Sequence, residues 1–304
     1  MKRALAILVS VALLAWLVSD GRWRDLLGTL DQLTPGLVLV ALAGFACSYS
    51  LRALRVWDEF RGDAHGRFPA CLRIVLVHNA MVNVVPFRGG EAAFPLLLRQ
   101  TFGTPLPRAV ASLFWFRLQD ALAVFVIAAC AWPGLPLWLR ALALAGLGGI
   151  AFWLPRWARA PHDWHEGSPF AAKAARLRDT FAETTRHARL GWLWTIANWS
   201  VKLLTQAWLL AQLLPASMPV GAAGALGAEL SAILPIQGVA GFGTYEAGAA
   251  AAMLPSAIPI EQGLRAAFAL HIFVIASAVL AGAIAWLFHG PSPSNRPDSR
   301  PSSR

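Results

Sequence analysis

The stretch HNAMVNVVPFRGGEAAFPLLLRQTFG, residues 78–103, decides the fold. Its first apolar run reaches Pro86, which cannot continue a helix, and Gly89-Gly90 permits a sharp turn. Glu91 then opens a second short apolar run, where an acid suits the positive end of a helix. The order repeats in AELSAILPIQGVAGFGTYEAGAAAAMLP, residues 228–255. There Pro235 ends one half, Gly238, Gly241 and Gly243 supply the turn, and Glu246 opens the next half. Arg117 follows Glu91 by 26 residues and His271 follows Glu246 by 25, each in the next full-length apolar segment. Backbone broken at membrane depth is tolerated only where protein or a polar cavity satisfies it.

Composition sets the solvent. The 304 residues are 57% hydrophobic and 14% charged, with a mean hydropathy of +0.54. A soluble chain carries about 25% charged residues and enough polar surface to cover itself. This one cannot, and its long Leu/Ala-rich runs exclude the short alternating strands of a membrane barrel. The expected fold is an all-α polytopic membrane protein. It has about six full helices, near 4–19, 35–51, 109–131, 137–154, 191–213 and 265–288, and two broken re-entrant pairs at 71–98 and 220–254. Residues 1–288 form one domain, with halves at about 35–154 and 190–288. A basic cytoplasmic loop, 155–189, lies between them, and its stretch 170–189 is either a leaflet-bound helix or a solvated linker. The Pro/Ser/Arg-rich tail, 289–304, is expected to be disordered. The first segment is read as a retained helix, although Lys2-Arg3 before an apolar run also suits a signal peptide.

The net charge of +10 points to nucleic acid only in a soluble protein. With the amino terminus inside, nineteen Lys and Arg residues, Arg52 and Arg55 among them, fall in cytoplasmic pieces and four fall outside. Such a bias orients cytoplasmic loops, places both termini in the cytoplasm and gives the first broken element the opposite entrance from the second. The two halves therefore read as an inverted repeat, whose broken helices mark a midplane binding site. Trp132 with Trp138, and Trp153 with Trp157, bracket one helix as interfacial belts do.

Seven ionisable residues fall at membrane depth: Arg88, Glu91, Arg117, Asp120, Lys202, Glu229 and Glu246. Each costs about 2.5–3.5 kcal/mol at a helix centre, so they pair or line a wet cavity. Asp120 shares a helix face with Arg117, and Lys202 stands between Asn198 and Gln206 in one polar stripe. Buried pairs that merely hold helices together are the structural alternative. Cys47, Cys71 and Cys130 are far apart and read as small core residues rather than a disulfide or metal set. No cofactor is expected: GVAGFG lacks the dinucleotide spacing, no Walker motif is present, and His162 with His165 lack a further ligand set. His78 and His271 read as packed or cavity-lining.

Asn83-Val84-Val85-Pro86-Phe87-Arg88-Gly89-Gly90-Glu91, then Phe116-Arg117-Leu118-Gln119-Asp120, then Gly241-Phe242-Gly243-Thr244-Tyr245-Glu246 resemble one signature set. It is that of the lysylphosphatidylglycerol synthase transmembrane-region family, flippase-like membrane proteins, and the resemblance runs from the second helix to residue 288. Ala92, Ala93 and Phe94 stand where many members carry Arg, and Ala240 extends the second Gly turn. The family's soluble aminoacyl-transfer domain is not expected here, since only a short tail follows residue 288. The resemblance implies a lipid transporter of a bacterial-type inner membrane, its partner a lipid with an anionic or zwitterionic headgroup. Arg88, Arg117 and Lys202 would meet phosphate. Glu91, Asp120, Glu229, Tyr245 and Glu246 would line the site, with turns at Pro86, Gly89, Gly90, Pro235, Gly241 and Gly243. Two other readings stay open: a membrane-embedded transferase with Glu91 or Asp120 as base, and a non-transporting partner of a lipid-modifying enzyme. A homo-oligomer is also left open.

Overall fold

Pro35 takes a first helical position and Thr34 caps it, its Oγ1 accepting from the Leu37 N–H at 3.3 Å. From that start the computed structural model describes residues 28, 33–64, 67–85, 89–132, 134–160, 169–184, 189–233 and 239–287. Helix α1 spans Pro35–Glu59, α2 Phe68–Val84, α3 Ala93–Phe102, α4 Leu106–Ala131 and α5 Leu137–Arg159. They are followed by α6 Pro169–Thr184, α7 Gly191–Leu213, α8 Met218–Ile233, α9 Thr244–Met253 and α10 Ile260–Leu287. No strand occurs among the described residues.

Five of the six expected full segments lie on α1, α4, α5, α7 and α10, which are 25, 26, 23, 23 and 28 residues long. At 1.5 Å per residue each reaches across about 30 Å of hydrocarbon. The sixth, 4–19, lies outside the described residues, as do the tail, His162 and His165. Both broken regions are helix pairs. In the first, α2 of 17 residues and α3 of 10 flank a 3-10 turn at Gly89–Ala92. In the second, α8 of 16 and α9 of 10 flank one at Val239–Gly241. Pro86, Arg88 and Pro235 lie outside the described residues.

The lengths of α1 to α4 therefore recur in α7 to α10, and the packing interchanges them. Helix α1 lies along α7, while α2 packs on α10 and α4 meets α8. Small residues let these helices approach closely, as lipid-embedded packing requires. A Cβ at Gly44 would overlap Thr205 across the α1–α7 contact, and one at Gly282 would overlap Ala80 across α2–α10. Helices α7 and α8 meet at a bend of 120°, and Gly221 sits directly on the Ala207 carbonyl.

Three expectations need correction. In the described part of 170–189 the solvated-linker alternative gives way to helix α6, which docks on α4, with Phe181 5.4 Å from Trp115 and 5.9 Å from Phe114, ring to ring. Cys71 is buried, but Cys47 and Cys130 are exposed, because they lie on outward faces of α1 and α4 and lipid accepts a thiol as readily as a core does. Finally, α1 does not stop near residue 51 but runs to Glu59, carrying Arg52 and Arg55 into the bundle. Its end is tied down by Asp58, which pairs with Arg61 and accepts the Leu190 N–H at 2.8 Å ahead of α7.

Candidate functional site

Helices α1 and α4 and the 3-10 turn of the first broken element bring five charges together, with α2 and α7 adding His78, Asn79 and Trp199. Asp120, 5% exposed, is the centre. Its Oδ1 accepts from Arg55 Nη1 at 2.6 Å and from the Trp199 indole N–H at 3.0 Å. Its Oδ2 lies 3.3 Å from Arg52 Nη2 and 3.6 Å from Arg117 Nη1. Arg55, 1% exposed, donates from Nη2 to the Phe116 carbonyl and to Gln119 Oε1, at 2.7 and 3.0 Å. Its two Nη groups are matched by a carboxylate and carbonyl oxygens, as a buried guanidinium requires, while its Nε is buried without a hydrogen-bond partner.

Arg117 faces the other way as well. Its Nη2 lies 2.7 Å from Glu91 Oε1, and its Nε donates to Oε2 at 3.2 Å, a fork around one carboxylate. His78 Nε2 stands 3.3 Å from the same Oε2, and Arg52 Nη1 donates to Asn79 at 2.9 Å. Unlike Arg55, the Arg117 side chain is 36% exposed, and Arg52 and Glu91 are also partly open. Three guanidinium groups thus face two carboxylates, leaving one positive charge when His78 is neutral. Arg52 and Arg55 are the residues that sequence reasoning missed, assigning them to a cytoplasmic loop. The readable signal was their spacing: Ser48, Arg52, Arg55 and Glu59 follow one another at four, three and four, a polar stripe that continues the helix. Removing the two from the cytoplasmic set leaves the loop-charge asymmetry in place.

The second cluster follows from α7. Lys202 Nζ lies 2.7 Å from Glu229 Oε1 on α8, so it has the partner that the sequence did not name. Gln206, one turn on, donates to Glu229 at 2.8 Å and to Tyr245 Oη at 3.1 Å. Asn198, one turn back, accepts from Ser48 of α1 at 2.7 Å. The stripe 198–202–206 therefore faces the interior. Next to it, Glu246 Oε1 meets His271 Nδ1 at 2.7 Å while its Oε2 accepts from the Gly243 N–H at 2.6 Å. Both broken elements thus deliver a glutamate to the following long helix: Glu91 to Arg117, Glu246 to His271.

Trp199 joins the clusters. Its indole N–H serves Asp120, and its ring face lies 4.5 Å from Lys202 Nζ. The glycines differ in kind. Gly241 and Gly243 adopt φ of 87° and 89°, the left-handed region that favours glycine. Gly90 instead allows contact, since a Cβ there would overlap the Met81 carbonyl. Among the described residues no group of His, Cys, Asp and Glu could hold a metal ion. Glu91, Asp120, Glu229 and Glu246 are engaged by guanidinium, ammonium, imidazole, indole or amide donors.

No curated protein sequence matches the chain. One family model does: that of the lysylphosphatidylglycerol synthase TM region, over residues 3–282. The chain is a multi-pass membrane protein related to lipid modification or transport, and it belongs to the lysylphosphatidylglycerol synthase TM region family.

Proposed function

We propose that the protein moves a phospholipid or other lipid-phosphate headgroup across a bacterial-type inner membrane, through the polar region between its two interlocked halves. The observation that carries this reading is the surplus positive charge around Asp120, with Arg117 and Arg52 partly open beside it. A phosphate would take Glu91's place on the Arg117 fork, since both present two oxygens to a planar donor pair. Glu91 would retain His78, and Arg55, enclosed against Asp120 and Phe116, would hold the cluster together rather than touch lipid. Lys202 would receive the headgroup on its way to the second cluster, while Glu229, Tyr245 and Glu246 line that side. Acyl chains would stay in apolar surroundings. A crevice of about 610 Å³ opens there between α4 and α5, lined by Phe125, Leu139, Leu142, Leu147 and Ile150. The loop charges favour both termini in the cytoplasm and an inverted arrangement of the halves.

The test is reconstitution of the full chain in phosphatidylglycerol/phosphatidylethanolamine liposomes, following the rate at which labelled phospholipid becomes reachable from the outer leaflet. Acceleration by the wild-type chain that disappears in Arg117→Ala supports the reading. Equal rates in empty and protein-containing vesicles, for either labelled lipid, overturn it.

A further inference from the structure

We propose that Glu246 and His271 form a proton-binding site, so that a lipid phosphate is carried together with a proton. The inference rests on the lipid reading above and adds its coupling ion. It starts from a difference between corresponding pairs. In the first half the glutamate after the glycine turn is held by His78 and by an arginine, whose charge is permanent. In the second half the same position is held by a histidine, the side chain whose charge changes near neutral pH.

The surroundings make that difference matter. The Glu246 side chain has no exposure and that of His271 has 6%. Among the described residues Glu246 has no Lys or Arg within ion-pair distance. The partners of this buried carboxylate are one imidazole and one backbone N–H, so only a proton on the imidazole would balance its charge. With Nδ1–H donated to Glu246, the proton would be added at Nε2, taking the pair from one negative charge to zero. The ring edge bearing Nε2 faces the strained glycine turn: a Cβ on Gly241 would lie 3.6 Å from it. Protonation is therefore felt where the broken element bends.

Several titratable and charged groups lie on the elements packed around the pair. Helix α9 contributes Tyr245, whose ring stacks on His271 at a centroid distance of 4.2 Å. Helix α8 contributes Glu229 and α7 contributes Lys202, joined to Tyr245 through Gln206. Helix α1 contributes Tyr49, beside Ser277 of α10, with Arg52 one turn on. Helix α2, packed along α10, carries His78, which is committed to Glu91. From Lys202 the chain of contacts continues through Trp199 to Asp120 and Arg117. A phosphate arriving at Arg117 adds negative charge to this connected network, and His271, bonded to Glu246 through Nδ1, offers Nε2 to a proton. Uptake of one proton there lets phosphate and proton move with no net charge.

The experiment uses the purified full chain in neutral detergent and a soluble anionic phospholipid, dioctanoyl phosphatidylglycerol. Binding is measured calorimetrically in buffers of different ionisation enthalpy, which reports protons taken up per lipid bound. The wild-type chain is expected to take up about one proton, the charge change of one imidazole. His271→Gln should bind lipid and lose the uptake, and Glu246→Gln, which removes the buried carboxylate, should do the same if His271→Gln does not fold. Wild-type binding without proton uptake, or full uptake in His271→Gln, overturns the proton site and leaves the lipid reading standing. Absence of lipid binding by the wild-type chain overturns both.

Discussion

The indole N–H of Trp199 donates to Asp120 at 3.0 Å, which ties α7 to α4 at the point where the charges of both halves meet. The same ring lies face-on to Lys202. Trp199→Phe keeps an aromatic ring, a smaller one, and removes the donor, leaving one acceptor site of a buried carboxylate unfilled. A loss of about 1–3 kcal/mol is expected, read by reversible unfolding in detergent. An unchanged stability would show that the indole hydrogen bond carries none of it.

Asp120 and Arg117 should separate stability from function. Asp120→Asn leaves Arg55 enclosed without its counter-charge and should cost about 3–5 kcal/mol. Arg117→Ala removes a side chain that is partly open, so the chain should still purify as a monodisperse species. Its lipid movement should nonetheless fall about tenfold or more, the effect of losing a charge-assisted contact. Unfolding midpoints and liposome rates of the two variants decide the matter.

Arg117→Lys sharpens that prediction. An ammonium keeps the charge but cannot fork around Glu91 or a phosphate with two fixed donors. Its liposome rate should fall between those of the wild-type and alanine chains. A wild-type rate would mean that charge alone suffices.

Lys202 and Glu229 should behave as a coupled pair. Lys202→Met strands Glu229, and Glu229→Gln strands the ammonium, so each single change should destabilise. The double change should be milder than the sum by about 0.5–3 kcal/mol, the usual range for residues in contact. Additive losses in the cycle would count against a direct pairing.

The glycines allow an internal control. Gly90→Ala places a methyl on the Met81 carbonyl and Gly221→Ala places one on the Ala207 carbonyl, so both should lower folded yield sharply. On α5, a Cβ at Gly146 meets nothing within 4 Å, and Gly146→Ala should be neutral or stabilising by up to about 1 kcal/mol. Size-exclusion profiles and thermal midpoints of the three variants check this.

Much of the architecture is legible without coordinates because lipid imposes length and polarity on every span. The long apolar runs, the two Pro/Gly breaks and the glutamates after them are local features, and all the described ones lie on the expected helices or turns. The stripe of Asn198, Lys202 and Gln206 also reads directly, since three residues a helical turn apart share a face. Hydropathy nevertheless misplaced the end of α1. Arg52 and Arg55 look like loop charges until Asp120 of another helix is known to receive them.

The sequence by itself therefore determined a helical membrane protein with two broken elements and charges that must avoid lipid. Only the tertiary structure decided which charge meets which. Lys202 meets Glu229, Asp120 gathers Arg52, Arg55, Arg117 and Trp199, and Glu246 is left to a histidine. The reason is physical. Burial costs depend on local helix properties that a sequence displays, whereas ion pairing depends on distances of about 3 Å between side chains far apart in the chain. Those distances are set by how closely small residues let the helices pack.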